Sequence, residues 1–210
     1  MACVVFGLTN CLAPIGQAQR STPEPLTAAD LPAQLSPATR QSIAKLGDSL
    51  RAVRLPDEPL YSKAAEGVLK GADEARILSA VRTLARELGD ARASLGEDAD
   101  DAELVAAASA LHVGATPAML RRLVAARASS DRGSSLATPL VALADLLTRR
   151  VPPPAAAAAI DSLVTRRAPS ADFAALRAAV ERDIEAGRSP EASVATRTQT
   201  LLRDIEARHP

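Results

Sequence analysis

The side chains that most often carry chemistry in proteins are scarce in this sequence. It has two histidines, His112 and His209, and two cysteines, Cys3 and Cys11. No second ligand lies at metal-binding spacing from either histidine, and the His-Glu-x-x-His pattern is absent. His112 falls at the expected end of a helix, where a hydrogen-bond donor or a positive charge interacts favourably with the helix dipole. The sequence therefore identifies no catalytic, cofactor-binding or metal-binding residue.

The densest cluster of charge is the acidic run at 97–103, and carboxylates are the ligands that calcium prefers. The run lacks the alternating ligands, the central glycine and the terminal glutamate of an EF-hand loop. It directly precedes a helix that we expect to begin at Ala102, and negative charge stabilises the amino end of a helix. We therefore interpret these acids as helix-stabilising residues, with calcium binding as the alternative.

Arginine occurs in consecutive pairs, which could recognise a lipid headgroup or another polyanion if one face gathered them. The pairs are Arg121-Arg122, Arg149-Arg150 and Arg166-Arg167. The last two fall at expected helix carboxyl ends, where cations are favourable. The chain has 25 basic and 25 acidic residues and a net charge of zero, whereas nucleic-acid-binding proteins carry a basic excess. We therefore predict no nucleic-acid partner and interpret the pairs as helix ends.

The elements that position these residues are predicted to be helices. The chain of 210 residues contains 46 alanines, and only 1% of its residues are aromatic. Alanine, leucine, arginine and glutamate favour helices, whereas the residues that favour strands are sparse. Apolar residues recur at helical spacing, for example at Ile77, Val81, Leu84 and Leu88. The composition and the periodicity together predict an all-α fold.

Helix starts are marked by a hydroxyl residue directly before proline. Such a side chain can accept a hydrogen bond from the first turn, and proline suits the first helical position. The pattern occurs at Ser36-Pro37, Thr116-Pro117, Thr138-Pro139 and Ser189-Pro190. We predict about nine helices, over 37–54, 59–70, 74–95, 102–112, 117–128, 139–150, 153–167, 171–186 and 190–207.

Four short turns occupy equivalent positions along the chain, at intervals of about 40 residues. Gly71, Gly114, Arg150 and Gly187 each lie three residues after an apolar residue and shortly before a helix start. This spacing is typical of stacked helical hairpins. We predict a single α-helical domain over 36–210 with hairpins at 59–95, 102–128, 139–167 and 171–207. The sequence does not decide between an α-solenoid-like array and a compact helical bundle. It also does not decide whether the hairpins are true repeats or belong to a non-repetitive bundle with similar turns.

The amino terminus resembles a secretory leader. Residues 1–18 are uncharged and largely apolar, and small residues at Gly16 and Ala18 suit signal-peptidase cleavage, although no basic residue precedes Arg20. The apolar run is too short to span a bilayer, which requires about 20 residues. A plain buried or disordered start is one alternative, and a lipid anchor at Cys11 is another. Residues 19–35, with three prolines, are predicted to form a flexible linker.

The sequence alone does not single out one function. Stacked hairpins offer an extended surface, so the leading hypothesis is an exported binding or scaffolding module of the periplasm or cell envelope, with another protein as its partner. A carrier of an apolar small molecule or lipid is the first alternative, and it requires a cavity of at least about 300 Å³. An enzyme of an unrecognised type is the second, and it requires a pocket with several ionisable groups of shifted pKa.

Overall fold

The computed structural model describes residues 26–130 and 133–208, and within these ranges the chain forms nine α-helices, one short 3-10 helix and no strand. The all-α prediction is confirmed. The predicted signal peptide, the alternative lipid anchor at Cys11, residues 19–25 of the predicted linker and His209 lie outside the described residues. No helix in these ranges combines the length and the apolar composition that crossing a membrane requires. The helices are α1 Pro37–Ala52, α2 Glu58–Leu69, α3 Glu74–Leu95, α4 Asp101–His112, α5 Pro117–Ser130, α6 Ala137–Thr148, α7 Pro153–Thr165, α8 Ser170–Glu185 and α9 Pro190–Arg208.

Three of the four predicted hydroxyl caps start their helices as expected. The hydroxyl oxygens of Ser36, Thr116 and Ser189 each accept a hydrogen bond from the amide three residues later, at 3.2–3.3 Å. Each bond satisfies one of the amide groups that the first turn of a helix leaves without a backbone partner.

The fourth start was placed wrongly, because α6 begins at Ala137 rather than at residue 139. Leu136 precedes the helix and is buried, and its amide donates to the Glu103 carboxylate of α4 at 2.6 Å. This long-range cap fixes an earlier start. Pro139 then lies in the first turn, where its missing N–H removes no helical hydrogen bond.

Six of the helices, α1, α2, α4, α6, α7 and α8, end with the same geometry. The three glycines of the predicted turns adopt the left-handed conformation, with φ of 67° at Gly71, 107° at Gly114 and 84° at Gly187. Arg150 does so as well, with φ of 61°. Arg54 and Arg167 adopt the same conformation. At all six ends the amide of this residue donates to the carbonyl three residues earlier, and the next amide donates to the carbonyl five residues before it, at 2.9–3.1 Å. At five of these ends the accepting carbonyl belongs to an apolar residue, and at the Arg54 end it belongs to Arg51.

The helices form stacked hairpins in two layers. Helices α4, α6 and α8 contact one another in turn within one layer, and α3, α5, α7 and α9 do so within the other. All extensive contacts join helices that are one or two apart along the chain, which is the contact pattern of a stacked array. Helices α4 and α5 are an exception to hairpin pairing, because α4 packs mainly on α3 and α6 while α5 packs on α3 and α7.

Helix α2 is fixed in place by the single tyrosine of the chain. Tyr61 is buried against α1, and its hydroxyl donates to Asp57 at 2.9 Å. Burial, followed by the nearby Asp57 carboxylate, raises the pKa of Tyr61 to about 12. Gly47 makes this contact possible, because a Cβ atom there would lie 2.1 Å from the Tyr61 hydroxyl oxygen. The position of α2 therefore depends on the absence of a side chain at residue 47.

Residues 26–35 differ from the expectation of a flexible linker. They fold onto α1, with a 3-10 helix at Ala28–Asp30 that a reciprocal Thr27–Asp30 capping box closes. Leu31 and Leu35 are only 6% and 3% exposed. The prolines correctly predict a segment without a long helix. The segment is ordered because burial of each of the two leucine side chains stabilises the folded state by about 1.5–3 kcal/mol.

Candidate binding groove

A groove opens where the first layer of helices is interrupted. Helix α4 packs directly on α6, but α2 and α4 make no comparable contact and instead both pack on α3. The two helices form the walls of a groove of about 420 Å³, and α3 forms its floor. We call this feature the α2/α4 groove. Its volume lies within the range of ligand-binding sites, about 300–1,000 Å³.

The groove is lined by one stripe of residues from each of the three helices. The residues of each stripe recur at intervals of about one helical turn, so they lie on one face. The stripes are Glu58, Ser62 and Glu66 on α2; Ala80, Leu84 and Glu87 on α3; and Val105, Ala108 and His112 on α4. The lower part is apolar and the rim is charged, an arrangement that accepts an apolar body and leaves its polar parts at the edge.

Two of the rim carboxylates are already engaged. Glu66 accepts hydrogen bonds from Lys70 and, at 3.0 Å, from Lys63, and these bonds lower the pKa of Glu66 to about 2. Glu87 contacts Nδ1 of His112 at 3.0 Å. Glu66 and His112 are on the surface and Glu87 is half-buried, and ion pairs with such exposed partners contribute about 1 kcal/mol or less. They define the edge of the groove rather than hold the fold together.

The groove continues into a wider, shallower depression at the amino ends of α2, α4 and α6. This outer depression has a volume of about 910 Å³ and shares Glu58, Pro59, Val105 and Ser109 with the groove. Its lining includes two of the large apolar side chains that remain exposed, Leu26 at 37% and Val141 at 43%. The further lining residues are Pro56, Asp101, Ala102, Ala106 and Ala137. The two concavities form one continuous and largely apolar surface.

The outer depression has an unbalanced charge. Among the described residues, the charged residues that line it are Glu58 and Asp101. Glu58 accepts a hydrogen bond from the Ser62 hydroxyl at 2.6 Å. Neither carboxylate has an ion-pair partner among the described residues, unlike Glu66 and Glu87 in the adjoining groove. A cation placed in this depression would therefore meet two unpaired negative charges.

His112 is the last residue of α4, as the sequence predicts, and its partner Glu87 on α3 was not foreseen. Glu87 lies far from His112 in sequence, so no local pattern could reveal the pair. The histidine lies on the rim of the groove. Within the described residues, no group of three or more histidine, aspartate or glutamate side chains is arranged to hold a metal ion.

The acidic run at 97–103 serves the start of α4. Asp100 caps the helix, since its Oδ1 accepts from the Glu103 amide at 2.7 Å, and Asp101 lies in the first turn. The sequence did not reveal that Glu103 differs from the other acids of this run. It is 3% exposed, and its Oε1 accepts from Arg127 Nη1 at 2.8 Å and from the Leu136 amide at 2.6 Å. This one carboxylate joins α4 to α5 and α6 and so fixes the far wall of the groove.

The arginine pairs connect neighbouring helices. Arg149 and Arg166 directly follow α6 and α7, which confirms their prediction as helix ends. Arg122 contacts Asp161 at 2.7 Å, Arg149 contacts Asp145 and, at 2.7 Å, Glu181, and Arg166 contacts Glu206. Burial raises the pKa of Asp161 even beside Arg122. One arginine of each pair therefore binds a carboxylate of this chain. Because these guanidinium groups are already paired, the structure disfavours an anion-binding face built from the arginine pairs.

The groove is therefore the feature whose shape and lining best fit a ligand. Comparison of the chain with protein-family models, with curated proteins and with solved structures finds no match.

Proposed function

We propose that this protein is an exported binding module of the cell envelope, and that the α2/α4 groove receives a segment of a partner protein. The continuity of the groove with the outer depression carries the proposal. The outer depression adds about 910 Å³ to the groove of about 420 Å³. Together they offer a largely apolar surface that extends from α3 to α6. Recognition through an apolar groove bounded by helices is a common mode for helical protein segments.

Catalysis is less well supported by the same geometry. The ionisable groups of the groove lie on its rim, and Glu66 and Glu87 are each engaged by a basic side chain or an imidazole. The lowered pKa of Glu66 follows from its two lysine neighbours rather than from a reactive environment. The groove holds one acid–base pair, Glu87 and His112 at 3.0 Å, and among the described residues no further side chain hydrogen-bonds to either member, so no positioned nucleophile accompanies the pair.

Blocking the groove tests the binding function. Ser109 lines both concavities, is exposed, and donates its hydroxyl to the carbonyl of Val105 at 2.9 Å. Ser109→Trp would fill the groove from its wall. Ser49→Trp is a matched control, because Ser49 is exposed on α1 and makes the same bond to Lys45. We expect an envelope protein that the wild type and Ser49→Trp capture and that Ser109→Trp does not. Equal capture by all three would contradict the proposal.

Export is tested on the protein as its host makes it. The proposal expects a mature chain that begins at Gln19, after removal of residues 1–18, or a lipid-modified chain that begins at Cys11. Intact mass spectrometry of protein purified from the host distinguishes these forms. A mass that includes residues 1–18 would contradict processing by signal peptidase.

A carrier of an apolar small molecule is the second candidate, and the volume of the α2/α4 groove favours it. A groove of about 420 Å³ is large enough for a small ligand. The carrier hypothesis expects a co-purifying compound that organic solvent extracts from the wild type. Ser109→Trp should abolish its retention. Purification of the protein without such a compound, together with selective loss of partner capture, would decide for the first candidate.

A further inference from the structure

We propose that the partner segment is an amphipathic helix with a lysine or arginine beside its apolar stripe, and that this cation lies between Glu58 and Asp101. The inference rests on the proposed function, since it assigns a chemistry to the occupant of the groove and the outer depression. Charge complementarity between the depression and a cationic side chain carries the inference. Among the described residues, the depression combines an apolar lining with two carboxylates and no basic side chain.

The difference between the two concavities indicates where the cation belongs. In the α2/α4 groove, lysines already neutralise Glu66, and His112 contacts Glu87. In the outer depression, Glu58 and Asp101 come from different helices and face the same space without an ion-pair partner among the described residues. Glu58 is half-buried and Asp101 is exposed, so a cation held there gains about as much as it does in a surface ion pair, up to about 1 kcal/mol.

The helical form of the occupant follows from the walls. The stripe on α2 covers residues 58–66, which correspond to about 12 Å at 1.5 Å per residue. Such a length matches about two turns of a docked helix, whose apolar residues recur at intervals of three and four. Helical ridges pack into the spaces between the ridges of neighbouring helices. Within the described residues there is no sheet edge to which an extended segment could add.

Three synthetic peptides test the charge requirement with the full-length chain. Each is an alanine- and leucine-based amphipathic helix of about 15 residues, long enough to be partly helical in isolation. The peptides differ at one position beside the apolar stripe, which is lysine, glutamine or glutamate. We expect the lysine peptide to bind about threefold to fivefold more tightly than the glutamine peptide, and the glutamate peptide to bind most weakly, as surface ion pairs of up to about 1 kcal/mol imply.

Two pairs of substitutions locate the effect. Glu58→Gln/Asp101→Asn should abolish the preference for the lysine peptide over the glutamine peptide. Glu97→Gln/Asp98→Asn is the matched control, because these acids are exposed nearby and line neither concavity; it should preserve the preference. Ser109→Trp should weaken binding of the lysine and glutamine peptides alike.

The outcomes separate this inference from the proposed function. Equal affinity for the three peptides, or a lysine preference that survives in Glu58→Gln/Asp101→Asn, would overturn the cation site and leave the groove standing. Absence of binding by all three peptides would overturn the amphipathic-helix occupant. The proposed function itself fails only if Ser109→Trp also leaves partner capture unchanged. Titration calorimetry at low and at 0.5 M salt measures these affinities, because about 0.5 M salt screens surface pairs strongly.

Discussion

The first layer of helices is closed at one end of the molecule and open at the other. From α4 to α8 each helix contacts the next in its layer, and the space between them is filled by leucine and alanine side chains such as Leu140, Leu143 and Ala107. Between α2 and α4 the same layer parts, and α3 is left as a floor. The same kind of hairpin therefore provides a packed body in one region and a groove in the other.

The two regions also use their carboxylates differently. At the closed end, carboxylates bind arginines of other helices. Asp145 contacts Arg177 at 2.5 Å, Asp183 contacts Arg197 at 2.6 Å, Asp172 contacts Arg208 at 2.6 Å, and Glu181 contacts Arg149 at 2.7 Å. At the open end, Glu58 and Asp101 have no such partner among the described residues. The paired acids of the closed region therefore hold the array together, whereas Glu58 and Asp101 in the outer depression are available to a ligand.

The largest effect is expected at the junction between the two regions. Arg127→Ala would leave the Glu103 carboxylate buried without its cation, and breaking a buried ion pair in this way costs about 3–5 kcal/mol. Urea unfolding measures the loss. Arg121→Ala, on the exposed side of the same helix, is the control and should change stability by less than about 0.5 kcal/mol. The comparison would be weakened if the two variants were equally stable.

A smaller effect is expected at the closed end, and it depends on pH. Arg197 donates two hydrogen bonds to Asp183, at 2.6 and 2.8 Å, and lowers the pKa of that carboxyl below its ordinary value of 3.8. The stabilisation is therefore present above pH 3.8 and is lost as the pH falls toward the folded pKa. Asp183→Asn should be less stable than the wild type at pH 7, and the difference should shrink below pH 3.8.

Thermal unfolding across this range measures the pH-dependent difference. Glu185→Gln is the control, because Glu185 is exposed at the end of the same helix and has no ion-pair partner among the described residues. A constant difference between Asp183→Asn and the wild type from pH 7 to pH 3 would show that ionisation of Asp183 does not contribute to the closed end.

Local signals predicted the helices well, because caps and turns depend on neighbouring residues. Arg150 was placed correctly in a glycine position through its spacing from Leu147, and the structure gives it the left-handed conformation. Arg54 and Arg167 were missed because no glycine and no aligned spacing marked them. The groove could not be predicted, since it depends on the distance between α2 and α4. Glu103 was missed for the same reason, because its partners are far away in sequence.

The left-handed arginines at helix ends lead to a third prediction, in which a substitution raises the stability of the protein instead of lowering it. A residue other than glycine in the left-handed region carries a cost of about 1–2 kcal/mol, of which the greater flexibility of unfolded glycine offsets about 0.5–1 kcal/mol. Arg167→Gly at the closed end should therefore raise stability by about 0.5 kcal/mol or slightly more. The Arg167 side chain has no ion-pair partner among the described residues that the substitution would remove.

Gly187→Ala is the converse test of the same geometry. Gly187 has a φ of 84°, and a Cβ atom there would meet no atom within 4 Å, so only the backbone conformation opposes the substitution. It should lower stability by about 1 kcal/mol. If Arg167→Gly and Gly187→Ala shifted the melting temperature in the same direction, the shared turn geometry would not explain the effect of either.

A change in stability that depends on salt is expected at the open end, in Glu58→Gln/Asp101→Asn. Both residues lie in the first turn of a helix, where a negative charge contributes about 0.3–1 kcal/mol at low salt. The double variant removes two such charges and should therefore lose at most about 2 kcal/mol in urea unfolding at low salt, and much less at about 0.5 M salt, where screening is strong. A loss as large as that of Arg127→Ala would mean that these carboxylates hold the fold. Because their expected structural contribution is small, a change in ligand preference without a change in stability would assign them to recognition.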